Sequence, residues 1–581
     1  MNRERAVEIF EQIAWLMELD GENPFKIRAY QSAAQIIDAH PADIMALAAA
    51  GDLNGIGGLG AASRDKLCEL AQTGHMEFFE QLKAKFPPGL LDLFSIPGLG
   101  PRKVAQLHRE LGLGSIADLQ AACSDGRLAA LSGFGAKSVA KLQEAIAWQL
   151  TQRSLFRQDA AEVLAQTLLE PLRAHPACGQ LGVVGELRRG NEVIRRLELL
   201  CSSSKAELLL GDLAASRPQS RLEPAARWQS LCWQDDSGLP CVLHVCAPAD
   251  HAHAQAWLSG SPTHLQAMQT RASEQGLIWS EQGLHQGNTG SALELQTEEQ
   301  LFAQLGLQFI PPELRECGRE VAAAATGQLP RLIELGHLRG TFHNHTTASD
   351  GRASLREMAM AAMELGLQYL GIADHSRSSV QANGLSAERL LDQIAQIRAL
   401  NAEFAGQIHL FAGSEVDIHK DGSLDFPDEV LAQLDYVVAS VHQSFTLPAA
   451  EMTARLERAM RHPMVTMIGH LSGRLLARRA PYEFDLQRLL EVAAETQTII
   501  ELNASPWRLD MDWRHWPQAR ELGVICSINP DAHSTRGLQD LLFGVRAARK
   551  GWLRREDILN TLPLEQVREA LGHKRRTHGL G

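Results

Sequence analysis

The sequence lacks three features that would assign it to a class at once. Its nine cysteines contain no C-x-x-C pair, and their odd number argues against a disulfide framework and a cysteine-ligated zinc module. No apolar run approaches about 18 residues, so neither membrane insertion nor secretion is indicated. Positive charge is not in excess, because 56 Lys and Arg stand against 69 Asp and Glu, a formal net charge of −13. Any contact with a nucleic acid must therefore be local.

Length and apolar content indicate a folded, multidomain chain. At roughly 150 residues per domain, 581 residues suggest about four domains, and 45% apolar residues can give each of them a core. These figures exclude a disordered or fibrous chain. The scattered cysteines fit a reducing compartment, so we expect a cytoplasmic protein.

Three glycine turns interrupt the helical pattern of residues 6–149. They are Gly55-Ile56-Gly57-Gly58-Leu59-Gly60, Ile96-Pro97-Gly98-Leu99-Gly100 and Leu131-Ser132-Gly133-Phe134-Gly135. Such a turn leaves the first backbone amides of the next helix unobstructed. Together with the helix dipole, those amides form a phosphate-binding site. Three copies indicate helix-hairpin-helix units that bind a DNA backbone without reading sequence. For any single copy, a tight turn with a glycine cap is the alternative. The predicted DNA contacts are Gly98, Gly100, Lys103, Gly133, Gly135 and Lys137.

The pattern of apolar and polar residues changes along the chain. Residues 154–317 mix short β-like runs with helices, and 329–337 mark the passage into a new domain. After residue 338, short apolar runs that end in polar residues alternate with helical patterns such as 354–366. This alternation of predicted strands and helices is typical of a β/α barrel. The predicted domains are 1–80, 81–150, 151–317, a linker at 318–338, and 339–581.

Polar residues at the ends of seven predicted strands carry the strongest chemical signal. The runs are Thr341-Phe342, 369–373, 409–412, 436–441, 464–469, 498–502 and 524–529. The carboxyl ends of barrel strands converge on one mouth, so residues far apart in sequence meet there. The set comprises six imidazoles and three carboxylates: His343, His345, Asp350, His375, Glu415, His442, His470, Asp531 and His533.

These nine side chains predict a metal centre. Without metal they would share one cavity at a severe cost in desolvation and repulsion. Imidazoles and carboxylates without thiolates suit Zn, Mn or Fe(II) and disfavour Mg and Ca. Because nine ligands are too many for one ion, we expect two or three ions that share a carboxylate, activate water and hold a phosphoryl group under attack. A lone histidine here would more simply be a core residue, but a cluster of nine is not explained that way.

The series from His343-x-His345 to Asp531-x-His533 resembles the full ligand series of the PHP (polymerase and histidinol phosphatase) domain, a distorted seven-stranded β/α barrel. The resemblance implies a first ion on His343, His345, Glu415 and Asp531, a second on Asp350, His375 and His533, and a third on Glu415, His442 and His470. It assigns catalysis to Glu415, Asp531 and His343.

The segment 469–479 resembles the PHP variant that is fused to bacterial family X DNA polymerases. Arg474 and Arg508 are then candidates for holding a substrate phosphate, because a guanidinium fork matches phosphate oxygens. A surface position for either arginine is the alternative.

The resemblance to family X polymerases covers the whole chain. The amino-terminal domain of the family matches 21–30, its thumb matches Gly260-Ser261, His264 and Gly283-Leu284, and its closing segment matches 310–316. The predicted architecture is therefore multidomain α and α/β: helix-hairpin-helix domains, an α+β palm and thumb like those of polymerase beta, and a C-terminal distorted (β/α)7 barrel.

The polymerase site itself departs from the family pattern. The nucleotide-binding turn falls on 185–192, where Glu186 replaces a serine and would repel a triphosphate. Nucleotidyl transfer needs an Asp-x-Asp pair and a third Asp to hold two Mg ions. Aligned from this turn, the pair falls on Arg196-Leu197-Glu198 and the third position on Val242, so we expect no Mg-dNTP site and no polymerase activity. Lys26 matches a family lysine near the DNA end, and we interpret it as a phosphate contact or a surface lysine rather than a lyase residue.

Four functions are consistent with this sequence. The first is a metal-dependent phosphoesterase acting on DNA, most simply a 3′ to 5′ exonuclease in repair, with an inactive polymerase domain as a DNA clamp. The second is a gap-filling repair polymerase with an accessory nuclease, and the third is a non-enzymatic scaffold at DNA ends. A phosphatase of small phosphomonoesters is the fourth, and it leaves the glycine turns unexplained. Expected partners are gapped, nicked or single-stranded DNA ends, with no membrane, and we expect a nucleoid-associated location.

Overall fold

The structure is a computed structural model that describes residues 3–40, 44–96, 98–152 and 154–580, so Pro97 of the second glycine turn lies outside the described residues. The chain divides into two compact units, residues 1–153 and 154–581. Across the described ranges, no helix combines the length and the apolar character that a bilayer crossing requires.

The first unit is helical throughout its described residues. Its α-helices are α1 (Arg3–Leu19), α2 (Pro24–Ala39), α3 (Ile44–Ala50), α4 (Ala61–Thr73), α5 (Glu77–Lys83), α6 (Pro101–Leu111), α7 (Ile116–Ser124) and α8 (Ala136–Gln152). Each glycine turn leads directly into a helix, as the sequence predicts, because α4, α6 and α8 begin immediately after the turns. Gly58, Gly98 and Gly133 have φ values of +80°, +87° and +90°, a region that side-chain-bearing residues rarely adopt. Glycine is therefore required at these positions.

The second unit begins with a sheet and its helices. The elements are β1 (Phe156–Arg157), α9 (Gln158–Ala174), β2 (Leu181–Val184), α10 (Gly185–Arg188), β3 (Val193–Ile194), β4 (Leu197–Ser202), α11 (Ala206–Ala215), β5 (Arg221–Pro224), β6 (Trp228–Gln234) and β7 (Pro240–Cys246). The five-stranded sheet has the order β2-β4-β7-β6-β5, with β4 and β7 parallel. This is the α+β palm that the sequence predicts. A second group follows: α12 (His251–Ser259), α13 (Pro262–Glu274), β8 (Leu277–Ser280), β9 (Gly283–Gln286), α14 (Glu298–Gln304) and α15 (Arg319–Ala325).

The segment 318–338, expected to be a linker, is folded. It contains α15, and Val321, Ala324 and Leu332 are buried in the same hydrophobic cluster as Trp279. An alanine-rich helix with an apolar stripe gains more from packing on the preceding domain than from exposure to water. Ile333 and Leu338 are instead buried in the barrel core, so the segment packs on both the preceding domain and the barrel.

The last part of the chain forms a barrel of parallel strands. Its elements are β10 (Gly340–Thr341), α16 (Leu355–Glu364), β11 (Tyr369–Ile372), α17 (Ala387–Glu403), β12 (His409–Asp417), α18 (Asp428–Leu431), β13 (Tyr436–Ser440), α19 (Ala449–Arg461), β14 (Met467–Ile468), α20 (Leu486–Thr496), β15 (Ile499–Asn503), α21 (Trp516–Glu521), β16 (Cys526–Asn529), α22 (Leu541–Lys550) and α23 (Leu564–Thr577). The seven strands follow chain order in one sheet. Phe342 N donates to Asn529 Oδ1 at 3.1 Å and His345 N donates to Ala532 O at 2.9 Å, so the first and last strands nearly close the barrel.

Aromatic side chains fill part of the barrel interior. Phe342, Tyr369, Phe411 and Tyr436 form one buried cluster, and Leu571 of α23 belongs to it. Glycines at β10 and β12 make room for the two tyrosine rings, which lie within 2.4 Å of where a Cβ would stand. Because this region is solidly packed, the polar residues that follow the strands gather at the carboxyl end.

Ion pairs join the palm and thumb to the barrel. Lys550 of α22 is buried and contacts Glu316, whose Oε1 also accepts from Arg189 Nε at 2.9 Å. Arg549 of the same helix donates to Glu313 Oε1 at 2.7 Å. Because an unpaired buried charge is strongly destabilising, these pairs hold the two parts in one arrangement.

Asp540, at the start of α22, predicts a pH dependence of stability. Burial, with the nearby charge of Asp159, raises its pKa from 3.8 to about 7. The folded protein therefore binds this proton more tightly than the unfolded chain, and stability falls as pH rises between these values. We expect Asp540→Asn to reduce the decrease in Tm between pH 5 and pH 8 by roughly a few degrees. The exposed Asp392 of α17 provides the control, since Asp392→Asn should leave the wild-type slope, and an unchanged slope in Asp540→Asn would contradict the prediction.

Candidate metal centre

The structure brings all nine predicted ligands together at the carboxyl end of the barrel. His343, His345 and Asp350 follow β10, His375 follows β11, Glu415 stands within β12, His442 follows β13, His470 follows β14, and Asp531 and His533 follow β16. The sequence places the end of the third strand at Ala412, whereas β12 continues to Asp417 and carries Glu415 into the barrel mouth. Within the nine, only Asp350 is classed as exposed, and its side chain keeps 33% of its accessible surface.

Glu415 lies at the centre of the cluster. Its Oε1 is 2.9 Å from His470 Nε2, 3.2 Å from His442 Nε2 and 3.3 Å from His343 Nε2. Its Oε2 is 2.8 Å from His375 Nδ1. One carboxylate thus faces four imidazoles, which is the arrangement that a bridging ligand requires.

Two further carboxylates complete the cluster. Asp531 Oδ1 is 3.1 Å from His345 Nε2, and Asp350 lies 3.4 Å from His533 Nε2 and 3.5 Å from His375 Nε2. Three groups of potential ligand atoms lie within 4.8 Å of one another: His345, Asp350, His375 and His533; His343, His345 and Glu415; His375, Glu415 and His442. These groups differ from the family-implied sets, because His345 and His375 each belong to two groups and neither Asp531 nor His470 belongs to any of the three.

The residues present fit divalent metal ions. His343 Nε2 and His345 Nδ1 are buried and have no hydrogen-bond partner among the described residues. Ligand atoms that share an ion at about 2.1 Å lie about 3 to 3.5 Å apart, and most separations in this cluster have that size. The donor set of imidazole and carboxylate suits Mn, Zn or Fe.

The electrostatics of the cluster prepare it for cations. Although burial opposes ionisation, the charges of His442 and His343 hold the pKa of Glu415 well below its usual range. Burial lowers the pKa of His470 to about 4, and the Arg508 charge acts in the same direction. Although burial opposes protonation, the charge of Glu501 raises the pKa of His343 and the charge of Glu415 raises that of His375, both well above the usual value. A divalent cation would therefore bind in competition with the protons on these imidazoles.

Two carboxylates behind the ligands are missing from the sequence-predicted set. Glu501 Oε1 is 2.7 Å from His343 Nδ1, and its Oε2 accepts from His470 N at 2.7 Å. Asp417 Oδ1 is 2.9 Å from His442 Nδ1. Such partners fix the ring orientation and the tautomer of a ligand histidine. Both acids stand inside buried strands, and an acid in an otherwise apolar strand is the sequence signal that identifies them.

The two candidate phosphate-binding arginines occupy different positions. Arg508 Nε is 3.3 Å from Asp531 Oδ2, and its buried Nη1 has no hydrogen-bond partner in the part of the chain that the structure describes. Arg474 uses its guanidinium within the protein: Nε donates to Arg508 O at 2.9 Å, Nη1 to Asp512 Oδ2 at 2.6 Å, and Nη2 to Leu509 O. This geometry favours Arg508 over Arg474 as the phosphate ligand.

The predicted DNA contacts lie in the first unit. Lys137 is exposed at the start of α8. Lys103 Nζ donates to Gly98 O at 2.9 Å, so this lysine lies over its own glycine turn. Lys26 is exposed on α2 and pairs with Glu22 at 3.1 Å, which fits a surface lysine.

The positions at which the alignment places the metal ligands of a polymerase lie close together in the palm. Glu198 on β4 pairs in register with Val242 on β7, and Arg196 Nη2 lies 2.7 Å from Glu198 Oε1. Glu186 accepts a hydrogen bond from Arg195 N at 2.7 Å. At these positions a single carboxylate stands beside a cation and an apolar residue, instead of three carboxylates.

Comparisons with known proteins match this architecture. Family models match for the helix-hairpin-helix domain (1–76), the SAM-like helix-hairpin-helix tandem (90–147), the DNA polymerase beta thumb (254–316) and the PHP domain (341–505). The chain is 36% identical over 568 residues to "DNA polymerase/3′-5′ exonuclease PolX" of Bacillus subtilis, covering 98% of this chain and 99% of that protein. It is 27% identical over 250 residues to a probable phosphatase of Caldanaerobacter subterraneus, covering 41% of this chain and 93% of the relative.

The central position of Glu415 predicts how the metal content responds to substitution. Glu415→Ala should remove more than one equivalent of bound metal, because this carboxylate faces the ligands of more than one group. His470→Ala should lower the content by at most one equivalent, since His470 contacts Glu415 alone among the three carboxylates. Elemental analysis of protein loaded with Mn measures both, with circular dichroism to verify folding.

The exposed Glu429 of α18 is the matched control, and Glu429→Ala should retain the wild-type metal content. Full metal content in a folded Glu415→Ala protein would show that Glu415 does not bridge ions.

Proposed function

The chain belongs to the bacterial family X DNA polymerases that carry a C-terminal PHP domain, and from this membership we propose that it is a metal-dependent nuclease that shortens DNA from 3′ ends. The observation that carries the proposal is the cluster of nine imidazole and carboxylate side chains, with Glu415 at its centre, at the barrel mouth. The printed name of the Bacillus subtilis relative, which matches along nearly its whole length, supports the polarity.

The roles of the residues follow from their positions. Glu415, Asp531 and His343 would hold the ions closest to the reacting phosphate, with Glu501 fixing the His343 ring. Divalent ions bound there activate water and neutralise charge on the phosphoryl oxygens. Arg508 can donate its buried Nη1 to a phosphate oxygen from beside Asp531.

DNA is favoured over small phosphate esters by the rest of the chain. The probable phosphatase of Caldanaerobacter subterraneus covers only 41% of this chain, whereas this chain also has helix-hairpin-helix matches within residues 1–147. Helix starts that follow glycine turns suit phosphates of a nucleic-acid backbone.

The palm is proposed to be inactive in nucleotide transfer. Arg196 and Val242 replace two metal-binding carboxylates, and Glu198 is paired with Arg196. Two Mg ions cannot be held by one paired carboxylate. A gap-filling polymerase with an accessory nuclease is the alternative, and it is favoured by the printed name of the Bacillus subtilis relative.

One assay separates the two functions. With Mn and a 5′-end-labelled primer–template, the purified protein should shorten the labelled strand at the same rate with and without dNTPs. Glu415→Ala should lower this rate by about a hundredfold or more, because two of the three ligand groups contain that carboxylate. Extension that survives Glu415→Ala would contradict the inactive palm, and shortening that survives it would contradict the barrel as the nuclease.

The location of the DNA contacts gives a second prediction. Lys103→Ala combined with Lys137→Ala should weaken binding of long DNA and reduce the slope of log affinity against log salt by about 0.9 per lost phosphate contact. Fluorescence anisotropy at several salt concentrations measures both quantities. Lys83→Ala removes another exposed lysine of the first unit and should change neither. Equal salt slopes in all proteins would place the DNA contacts elsewhere.

A further inference from the structure

We propose that the palm contributes to the nuclease activity, because Glu192 and Arg157 position the loop 504–515 that carries Arg508. This inference rests on the nuclease function proposed above. The loop connects β15 to α21 at the mouth of the barrel, and Arg508 within it lies 3.3 Å from Asp531. Its position therefore decides where a guanidinium stands relative to the metal ligands.

The barrel holds one side of this loop. Arg474 donates to Arg508 O at 2.9 Å and to Leu509 O. The carboxylate of Asp510 accepts from Ser472 N at 3.0 Å. These bonds fix the backbone on both sides of Arg508, and Arg474 also donates to Asp512 Oδ2 at 2.6 Å where the next turn of the loop begins.

Glu192 of the palm holds that next turn. Its Oε2 accepts from Trp513 Nε1 at 3.0 Å, and its Oε1 accepts from Arg514 Nη1 at 2.8 Å. Glu192 is only 8% exposed. A buried carboxylate that accepts one hydrogen bond from an indole N–H and one from a guanidinium holds both donors in a defined direction. Glu192 belongs to the stretch that matches the family nucleotide-binding turn, so this turn is used here to hold the barrel.

Arg157 of the palm holds the loop at a second point. Its guanidinium carbon lies 3.2 Å from the centre of the Trp507 ring, and Arg478 of the barrel lies 4.0 Å from the same ring. Asp159 orients Arg157 through two hydrogen bonds of 3.0 Å. Trp507, the residue before Arg508, is therefore clamped between a palm arginine and a barrel arginine.

Loss of these contacts would displace Arg508. Removing the Glu192 carboxylate leaves Trp513 Nε1 without its acceptor and leaves Arg514 bonded to Asp512 of its own loop, so the loop loses its carboxylate anchor on the palm. A displacement of about 1 Å at a group that orients a reacting phosphate can cost about a hundredfold in rate. The palm thereby contributes to hydrolysis without touching the substrate.

The test compares Glu192→Ala with Glu192→Gln in the full chain, using Mn and thymidine 5′-(p-nitrophenyl phosphate). This small diester needs no DNA-binding surface, so a loss of rate cannot come from poorer DNA delivery. We expect Glu192→Ala to lower kcat/KM about tenfold or more with unchanged metal content, and Glu192→Gln, which keeps one of the two acceptor oxygens, to recover part of the rate. Glu162→Gln removes a palm–barrel ion pair of 2.9 Å away from this loop and should keep the wild-type rate.

A double-mutant cycle shows whether Glu192 acts through Arg508. In an Arg508→Ala background, Glu192→Ala should cause little further loss, whereas independent effects would multiply. Hydrogen exchange of peptide 503–516 provides a readout that does not depend on activity, and Glu192→Ala should accelerate it. Multiplying losses or unchanged exchange would overturn this inference. An inactive wild type with unchanged exchange in the variant would instead contradict both the proposed function and the positioning role.

Discussion

The barrel mouth depends on one constraint, the cost of burying ionisable groups without a compensating charge. Glu415 is 1% exposed and lies within 3.3 Å of nitrogen atoms of four histidines, so neither the acid nor the imidazoles can be solvated by water. Cations at this position satisfy every one of them. The length of β12 and the acids behind the ligands both serve the geometry around this carboxylate.

Much of the centre could be predicted from sequence because barrel topology is simple. Each ligand stands at or near the end of an apolar run, and parallel strands bring such ends together whatever their separation along the chain. Glu501 and Asp417 could not be found by that rule, since both lie within strands and act through a ligand histidine. The end of β12 was also misplaced, because Gly413 and Ser414 interrupt the apolar run although the strand continues through them.

The contacts between palm and barrel could not be predicted at all. Glu192 and Glu316 look like solvated charges in sequence, and their barrel partners Trp513, Arg514 and Lys550 lie more than two hundred positions away. Pairings of that kind depend on how two finished domains meet, and local sequence patterns carry no information about it. The folded segment 318–338 was obscured for the same reason, because its apolar residues divide between the core of the preceding domain and that of the barrel.

The pairing of Glu198 with Arg196 also has an evolutionary consequence. Replacing Val242 alone by Asp would set two carboxylates side by side on neighbouring buried strands, and replacing Arg196 alone would remove the cation beside Glu198. Each single step toward three acids therefore passes through a less stable protein. The present arrangement therefore resists gradual change, because selection for stability alone would retain Arg196 and Val242 beside Glu198.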